Sequence, residues 1–151
     1  MEIGSFCGAS TSIMADTVKS LGRGKIYAID LFSKSTMKSS HGNEYYKVFD
    51  STMQPYTDFY KKIEGNSQQI PWDLTIDFLF IDGDHSEIGV SKDIIKYTPF
   101  VRSGGYIFLH DYVDVPETNS MVKTAIDKTL MQDSTYKRIG VVSSLIAFKK
   151  N

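Results

Sequence analysis

Apolar positions along this chain fall into runs of two kinds, and the runs alternate. Nearly continuous runs at Phe78–Ile81 and Tyr106–Leu109 read as strands buried on both faces, each followed at its carboxyl end by acids. Between them, Glu87–Phe100 carries Ile88, Val90, Ile94, Ile95 and Tyr97 at roughly helical spacing. A strand, a helix and a strand of these lengths make a crossover unit whose strands are parallel. Asp82, Asp84, His85, His110 and Asp111 then gather at the carboxyl ends of neighbouring strands. That edge is where open α/β sheets bind ligands.

The rest of the chain alternates in the same way. Met1–Phe6 reads as a first strand, Gly4-Ser5-Phe6-Cys7-Gly8 as a tight turn, and Ala9–Leu21 as a helix with Ile13, Met14, Thr17, Val18 and Leu21 on one face. Ser10 or Thr11 suits its N-cap, and Gly22 with Gly24 its end. Lys25–Leu31 is a second strand closing on Asp30, and the polar interval Ser33–Asn43 a surface loop. Glu44–Tyr56 reads as a helix through Tyr45, Val48, Phe49 and Met53, with Pro55 marking its end. Phe59–Glu64 is a third strand, ending at Gly65-Asn66-Ser67. Ser120–Met131 repeats the helical pattern through Met121, Val122, Ala125, Ile126 and Leu130, and Tyr136–Val142 with Ser144–Lys149 forms a terminal strand pair. The alternation predicts an α/β, doubly wound sheet. Right-handed crossovers give five parallel strands in the order third, second, first, fourth, fifth, with the hairpin alongside the fifth.

Composition narrows the function classes. At 151 residues the chain is most simply one domain, and 41% apolar with 23% charged residues is the balance of an ordered globular protein. A net charge of -1 offers no basic excess for a nucleic-acid backbone. The single cysteine, Cys7, excludes an internal disulfide framework and fits a reducing compartment; in the glycine turn it reads as a small buried filler. No apolar run approaches the ~20 residues of a membrane span. The expected setting is cytoplasmic, with neither membrane nor nucleic acid as partner.

A strand, then Gly4-x-x-x-Gly8, then a helix lets a ligand approach the backbone closely beside free N–H groups. The same turn also serves as a plain connection, so Asp30 matters. It ends the next strand, where a carboxylate can accept both hydroxyls of a ribose. The spacing is not the G-x-G-x-x-G of a dinucleotide site, which disfavours nicotinamide cofactors.

Taken together, Glu2 through Thr11, Tyr27-Ala28-Ile29-Asp30, Phe80 through Ser86, and Gly104-Gly105 through His110-Asp111-Tyr112 resemble class I S-adenosylmethionine-dependent methyltransferases. The likeness is strongest to the small-molecule O-methyltransferases of the macrocin and cephalosporin-biosynthesis kind, the methyltransferase domain 24 type, and more distant to catechol O-methyltransferase. It implies a Rossmann-like seven-stranded sheet in the order 3-2-1-4-5-7-6, the last strand antiparallel. It implies that Glu2, Gly4, Ser5 and Gly8 wall the methionine part of S-adenosylmethionine, that Asp30 holds the ribose, and that Asn66 and Ser67 lie beside the adenine. Asp82 counts among the cofactor-facing residues as well. Helices that members of the family carry before the first strand are missing from residues 1–151. A fragment, a minimal version and a lid supplied by a partner, for which a homodimer is the simplest form, all remain open.

The strand-end acids suit a divalent cation, since Mg²⁺ needs only one or two protein carboxylates. Asp82 and Asp111 are the candidate metal ligands. In metal-dependent relatives an acidic or amide pair stands where this chain has His110-Asp111, and imidazole suits Zn, Fe or Ni better than Mg. His110 is therefore a ligand, a base or a hydrogen-bonded strand-end residue. The resemblance assigns Asp84 as general base, while its position also suits a cap on the following helix. His85, with an unperturbed pKa of about 6.5, is the other base candidate. Trp72, Tyr112 and the Tyr45–Tyr46 pair are available as pocket walls, although Trp72 more simply packs in a loop. Two functions are carried forward: methyl transfer to a small-molecule hydroxyl, and a cofactor-binding module that acts in assembly without turnover.

Overall fold

The computed structural model describes residues 1–32, 44–113 and 120–151. The loop read at Ser33–Asn43 lies outside them. Seven strands form one sheet: β1 (Glu2–Ile3), β2 (Ile26–Asp30), β3 (Tyr60–Glu64), β4 (Ile76–Ile81), β5 (Val101–Leu109), β6 (Tyr136–Val142) and β7 (Leu145–Lys150). Their order is β3-β2-β1-β4-β5-β7-β6, as the resemblance implies. The pairs β1–β2, β2–β3 and β4–β5 are parallel, while β7 runs antiparallel to both β5 and β6. The chain divides into two compact units, Met1–Ile70 and Pro71–Asn151. No helix among the described residues is long and apolar enough to cross a membrane.

In the first unit, β1 is shorter than the predicted Met1–Phe6, because Gly4 leaves extended geometry at φ 86°. Helix α1 (Ala9–Leu21) has the predicted bounds and ends on Gly22, whose left-handed backbone returns an N–H to the Lys19 carbonyl. Its buried face differs from the predicted one. Thr11 and Ala15 are buried while Ile13 and Leu21 are exposed. At about 100° per residue, Ile13 lies opposite the Thr11–Ala15 row. Met14 and Val18 flank that row and pack at the edge of the core. The small Ala15 side chain, with Ala28 from β2, belongs to a core otherwise filled by Ile26, Phe32, Tyr45, Phe49 and Met53. Those last three lie on α2 (Tyr45–Met53), and a 3₁₀ turn, Gln54–Tyr56, completes the predicted helix with Pro55 at its start. Proline lacks the N–H that would extend an α-helix there.

In the second unit, α3 (Glu87–Tyr97) runs into a 3₁₀ turn at Thr98–Phe100. Of the apolar residues assigned to it, Val90, Ile94 and Tyr97 are buried, whereas Ile88 and Ile95 are exposed. Ile88 and Ile95 are seven residues apart and fall on the face opposite the other three, so one sheet cannot cover both sets. Strand β5 begins well before the apolar run at Tyr106. It contains a register shift opposite Ile76 and Phe78, with Gly104 at φ 75°. A Cβ on Gly105 would lie 2.8 Å from Val101 Cγ1 and 3.0 Å from the Asp77 carbonyl, so the glycine pair serves a bulge inside the strand. Helix α4 (Met121–Lys128) starts on Ser120, whose hydroxyl accepts the Lys123 N–H. It buries Val122, Ala125 and Ile126 as expected and exposes Met121. Trp72 packs its ring edge on Tyr97 at 6.2 Å and donates its indole N–H to the Leu74 carbonyl.

Candidate cofactor turn and histidine–aspartate cluster

The first unit builds a glycine turn around one carboxylate. Gly4 and Gly8 both adopt φ 86°, which L side chains rarely do, and Phe6 between them sits at φ 45°. Gly8 is the N-cap of α1, and no side chain caps that helix. Ser10 and Thr11, expected as caps, instead donate their hydroxyls to the two oxygens of Glu2. Glu2 is completely buried, and burial raises its pKa more than these hydrogen bonds lower it. The Ser5 hydroxyl, also buried, lies close enough to ease that charge but completes no regular hydrogen bond of its own.

Asp30, at the tip of β2, faces this turn. Its Oδ2 accepts the Phe6 N–H at 2.8 Å, and its Oδ1 accepts the Phe32 N–H at 3.0 Å and the Tyr45 hydroxyl at 2.7 Å. Phe6 and Phe32 share a left-handed backbone, φ 45° in both, so Asp30 fastens two strained positions at once. Phe6 also packs on Tyr45, with ring centroids 5.1 Å apart. The Gly65 N–H donates to the Asp30 carbonyl, which ties the predicted adenine segment to β2. Asn66 spends its side-chain oxygen on the Gln68 N–H within its own turn. Ser67 follows it, half-buried. Cys7 is half-buried, and burial, with the nearby Asp30 charge, pushes its thiol pKa up, which suits a filler rather than a nucleophile.

The second unit brings four of its five predicted strand-end residues together. His85 lies between two acids, Nε2 3.5 Å from Asp82 Oδ1 and Nδ1 3.1 Å from Asp111 Oδ2. His110 approaches the same pair, its Nδ1 3.5 Å from Asp82 Oδ1 and 3.0 Å from Asp111 Oδ1. Its far nitrogen, Nε2, is 3.2 Å from the Ser144 hydroxyl, a partner the sequence did not suggest. Ser144 stands in the β6–β7 turn, where its carbonyl accepts the Tyr112 N–H. Burial raises the Asp82 pKa; the His110 and His85 charges lower it, and Asp111 raises it further. Asp111 holds a left-handed backbone, φ 58°, at the end of β5. Asp82, His85 and Asp111 each offer one ligand atom, and these atoms lie within 4.8 Å of one another.

Asp84 stands outside this group. Its Oδ1 accepts the Ser86 N–H at 2.8 Å, while Ser86 itself caps α3 by accepting the Gly89 N–H. The cap predicted for Asp84 is therefore one residue pair displaced, and Asp84 shapes the turn that leads into it. Its other oxygen lies directly over Gly89, where an added Cβ would come within 2.2 Å of Oδ2.

Known proteins resemble this chain in sequence or in fold. An uncharacterized protein of Acanthamoeba polyphaga mimivirus is 30% identical over 125 residues, covering 76% of this chain and 51% of its own length. The chain thus spans about half the length of that curated relative. Among solved structures, the O-methyltransferase NovP superposes with a TM-score of 0.72 at 15% identity, over 99% of this chain and 70% of that one. A Podospora anserina methyltransferase with bound S-adenosylhomocysteine (SAH) gives a TM-score of 0.70 at 16% identity, over 99% and 70%. At such identities these structures establish the fold alone. The model of the family described as "Methyltransferase domain" matches residues 1–112, from β1 through the histidine–aspartate cluster, and the chain belongs to that family.

Proposed function

We propose that the chain transfers a methyl group from S-adenosylmethionine to a hydroxyl of a small molecule, with a divalent cation assisting. The observation that carries this reading is Asp30: a carboxylate at a strand tip, hydrogen-bonded to the backbone of the adjoining glycine turn. A carboxylate has about four lone-pair sites. Three are taken by Phe6, Phe32 and Tyr45, all donors from the chain itself, which leaves Oδ2 open to a ribose hydroxyl. The buried, unpartnered Ser5 hydroxyl fits a turn that completes its bonding with a ligand. Family membership and the SAH-bound neighbour support the same cofactor.

The transfer is an in-line displacement. The acceptor oxygen bonds to the methyl carbon, the carbon–sulfur bond breaks, its electron pair stays on sulfur, and SAH leaves. The acceptor's proton goes to a base, and Asp84 takes that role with Oδ2, which Ser86 does not use. A cation held by Asp82 and Asp111 would make the acceptor hydroxyl more acidic. Catalysis then rests on positioning and on removal of one proton.

Calorimetry with SAH, followed by methyl transfer from labelled S-adenosylmethionine to a panel of hydroxyl compounds, tests the reading. Asp84→Asn is expected to abolish transfer and keep binding within a few-fold. A folded chain that binds no SAH would sink the proposal. Binding without transfer to any acceptor would favour the assembly module instead.

A further inference from the structure

We infer that the second unit binds a single-stranded nucleic acid across one face of its sheet. This goes beyond methyl transfer and does not rest on it. The apolar runs of β4 and β5 predict strands covered on both faces, but only one face is closed. Leu79, Ile107 and Phe148 are wholly buried there. On the other face Phe78, Phe80 and Phe108 stay half-buried and Tyr106 is 40% exposed. Register joins these four aromatics, since Phe78 pairs with Tyr106 and Phe80 with Phe108, and residues two apart share a face. The rings of Phe78 and Phe108 pack with centroids 5.0 Å apart. Aromatic rings set out on a sheet face are platforms on which unpaired bases stack.

A second observation gives the charge of the occupant. Across the sheet, Tyr106 pairs with Lys149 on β7, and Lys149 with Lys137 on β6. Both lysines are exposed, and Lys149 Nζ stands 5.7 Å over the Tyr106 ring, on the aromatic face. Like charges directly opposite one another destabilise an antiparallel pair, and among the described residues no acid pairs with either lysine. An anion on this row relieves the repulsion. The adjoining row is low: Phe108 pairs with Ala147, and Ala147 with Gly140, where an added Cβ would meet nothing within 4 Å. Bases on the aromatic side and phosphates on the lysine side fit this trough. A second copy of the face would bring the same lysines and no anion to meet them. The net charge of -1 belongs to the whole chain and does not describe this face.

Fluorescence anisotropy of the whole chain with a dye-labelled, mixed-sequence RNA strand of about 12 nucleotides tests this. Binding is expected at a Kd of about 1–100 μM, with a log–log salt slope near −1.4 for two phosphate contacts at about 0.7 each. Lys137→Gln and Lys149→Gln should each take about 0.7 off that slope. Tyr106→Ala should weaken binding about 5- to 150-fold, while Tyr106→Phe keeps it within a few-fold because a stack needs only the ring. The inference is overturned if no strand binds, if a duplex of the same sequence binds equally well, or if a stably folded Tyr106→Ala binds like the wild type. Should Tyr106→Ala melt early, the lysine variants decide alone, and an unchanged slope rejects the face. Two other occupants would also overturn it. One is a phosphatidylserine vesicle that takes up the wild type but not Tyr106→Phe or Lys149→Gln, and the other is a dimer in light scattering that Lys149→Gln tightens and the RNA strand does not disperse.

Discussion

The Tyr45 hydroxyl donates a 2.7 Å hydrogen bond to Asp30 Oδ1, so the acid assigned to the cofactor ribose already serves the fold. The two roles can be separated by substitution. A hydrogen bond to a charged acceptor contributes about 1.5–3 kcal/mol. Tyr45→Phe is therefore expected to lower stability by roughly that amount in urea unfolding, while SAH affinity stays within a few-fold because Oδ2 is untouched. Asp30→Ala should lose both, since it also strands the N–H groups of Phe6 and Phe32. An Asp30→Ala protein that still binds SAH at wild-type affinity would remove the ribose assignment.

Glu2 sets a pH dependence whose sign follows from burial. Its native pKa lies above the ordinary 4.5, so the native state binds this proton more tightly than the unfolded chain does. The resulting stabilisation is full below about 4.5 and is lost as pH rises through the raised native value. Glu2→Gln removes the titration. The wild-type stability minus that of Glu2→Gln should fall as pH rises across this window and level off above it. Thermal melts of both proteins from pH 4 to about 8 measure the difference. A difference that grows with pH would mean that Ser10 and Thr11 outweigh the burial.

Gly8 and Gly22 share a left-handed backbone but differ in surroundings, which separates strain from packing. A Cβ on Gly8 would lie 3.0 Å from Phe49 Cδ2, while one on Gly22 meets nothing within 4 Å. Gly22→Ala should cost only the conformational strain, about 1–2 kcal/mol. Gly8→Ala should cost more, because Phe49 is wholly buried and must shift. Equal losses in chemical unfolding would show that the core around Phe49 yields freely.

The order of the strands was legible because parallel strands demand crossovers of one hand, and the helical runs between them were long enough to recognise. Asp30 and the Gly4–Gly8 turn were legible for a related reason, since a strand tip and a glycine turn are local features. Helix faces were not. Ile88 and Ile95 satisfy helical periodicity as well as Val90 and Ile94 do, and only the sheet decides which set is covered. Partners set by tertiary register escaped as well. Tyr45 reaches Asp30 from a separate helix, and Ser144 reaches His110 only because β7 pairs antiparallel with β5. Neither contact leaves a spacing to read.

Gly89 gives the sharpest separation between the structural and chemical roles of Asp84. An added Cβ there would meet Asp84 Oδ2 at 2.2 Å and Cγ at 2.3 Å, so Gly89→Ala must push the carboxylate away. Replacing glycine by alanine within a helix gains about 1 kcal/mol. Overpacking costs about 1–3 kcal/mol, so the net effect on stability is expected to be a loss of no more than about 2 kcal/mol. If Asp84 is the base, methyl transfer should fall far more steeply than stability, with SAH affinity unchanged. Asp84→Gly offers the control, because it removes the carboxylate together with the Asp84 Cβ, which itself lies 2.7 Å from the added one. In a double-mutant cycle, Gly89→Ala should then become stabilising in the Asp84→Gly background while transfer stays at the Asp84→Gly level. Transfer that survives Gly89→Ala undiminished would place the base elsewhere, with His110 and His85 the nearest alternatives.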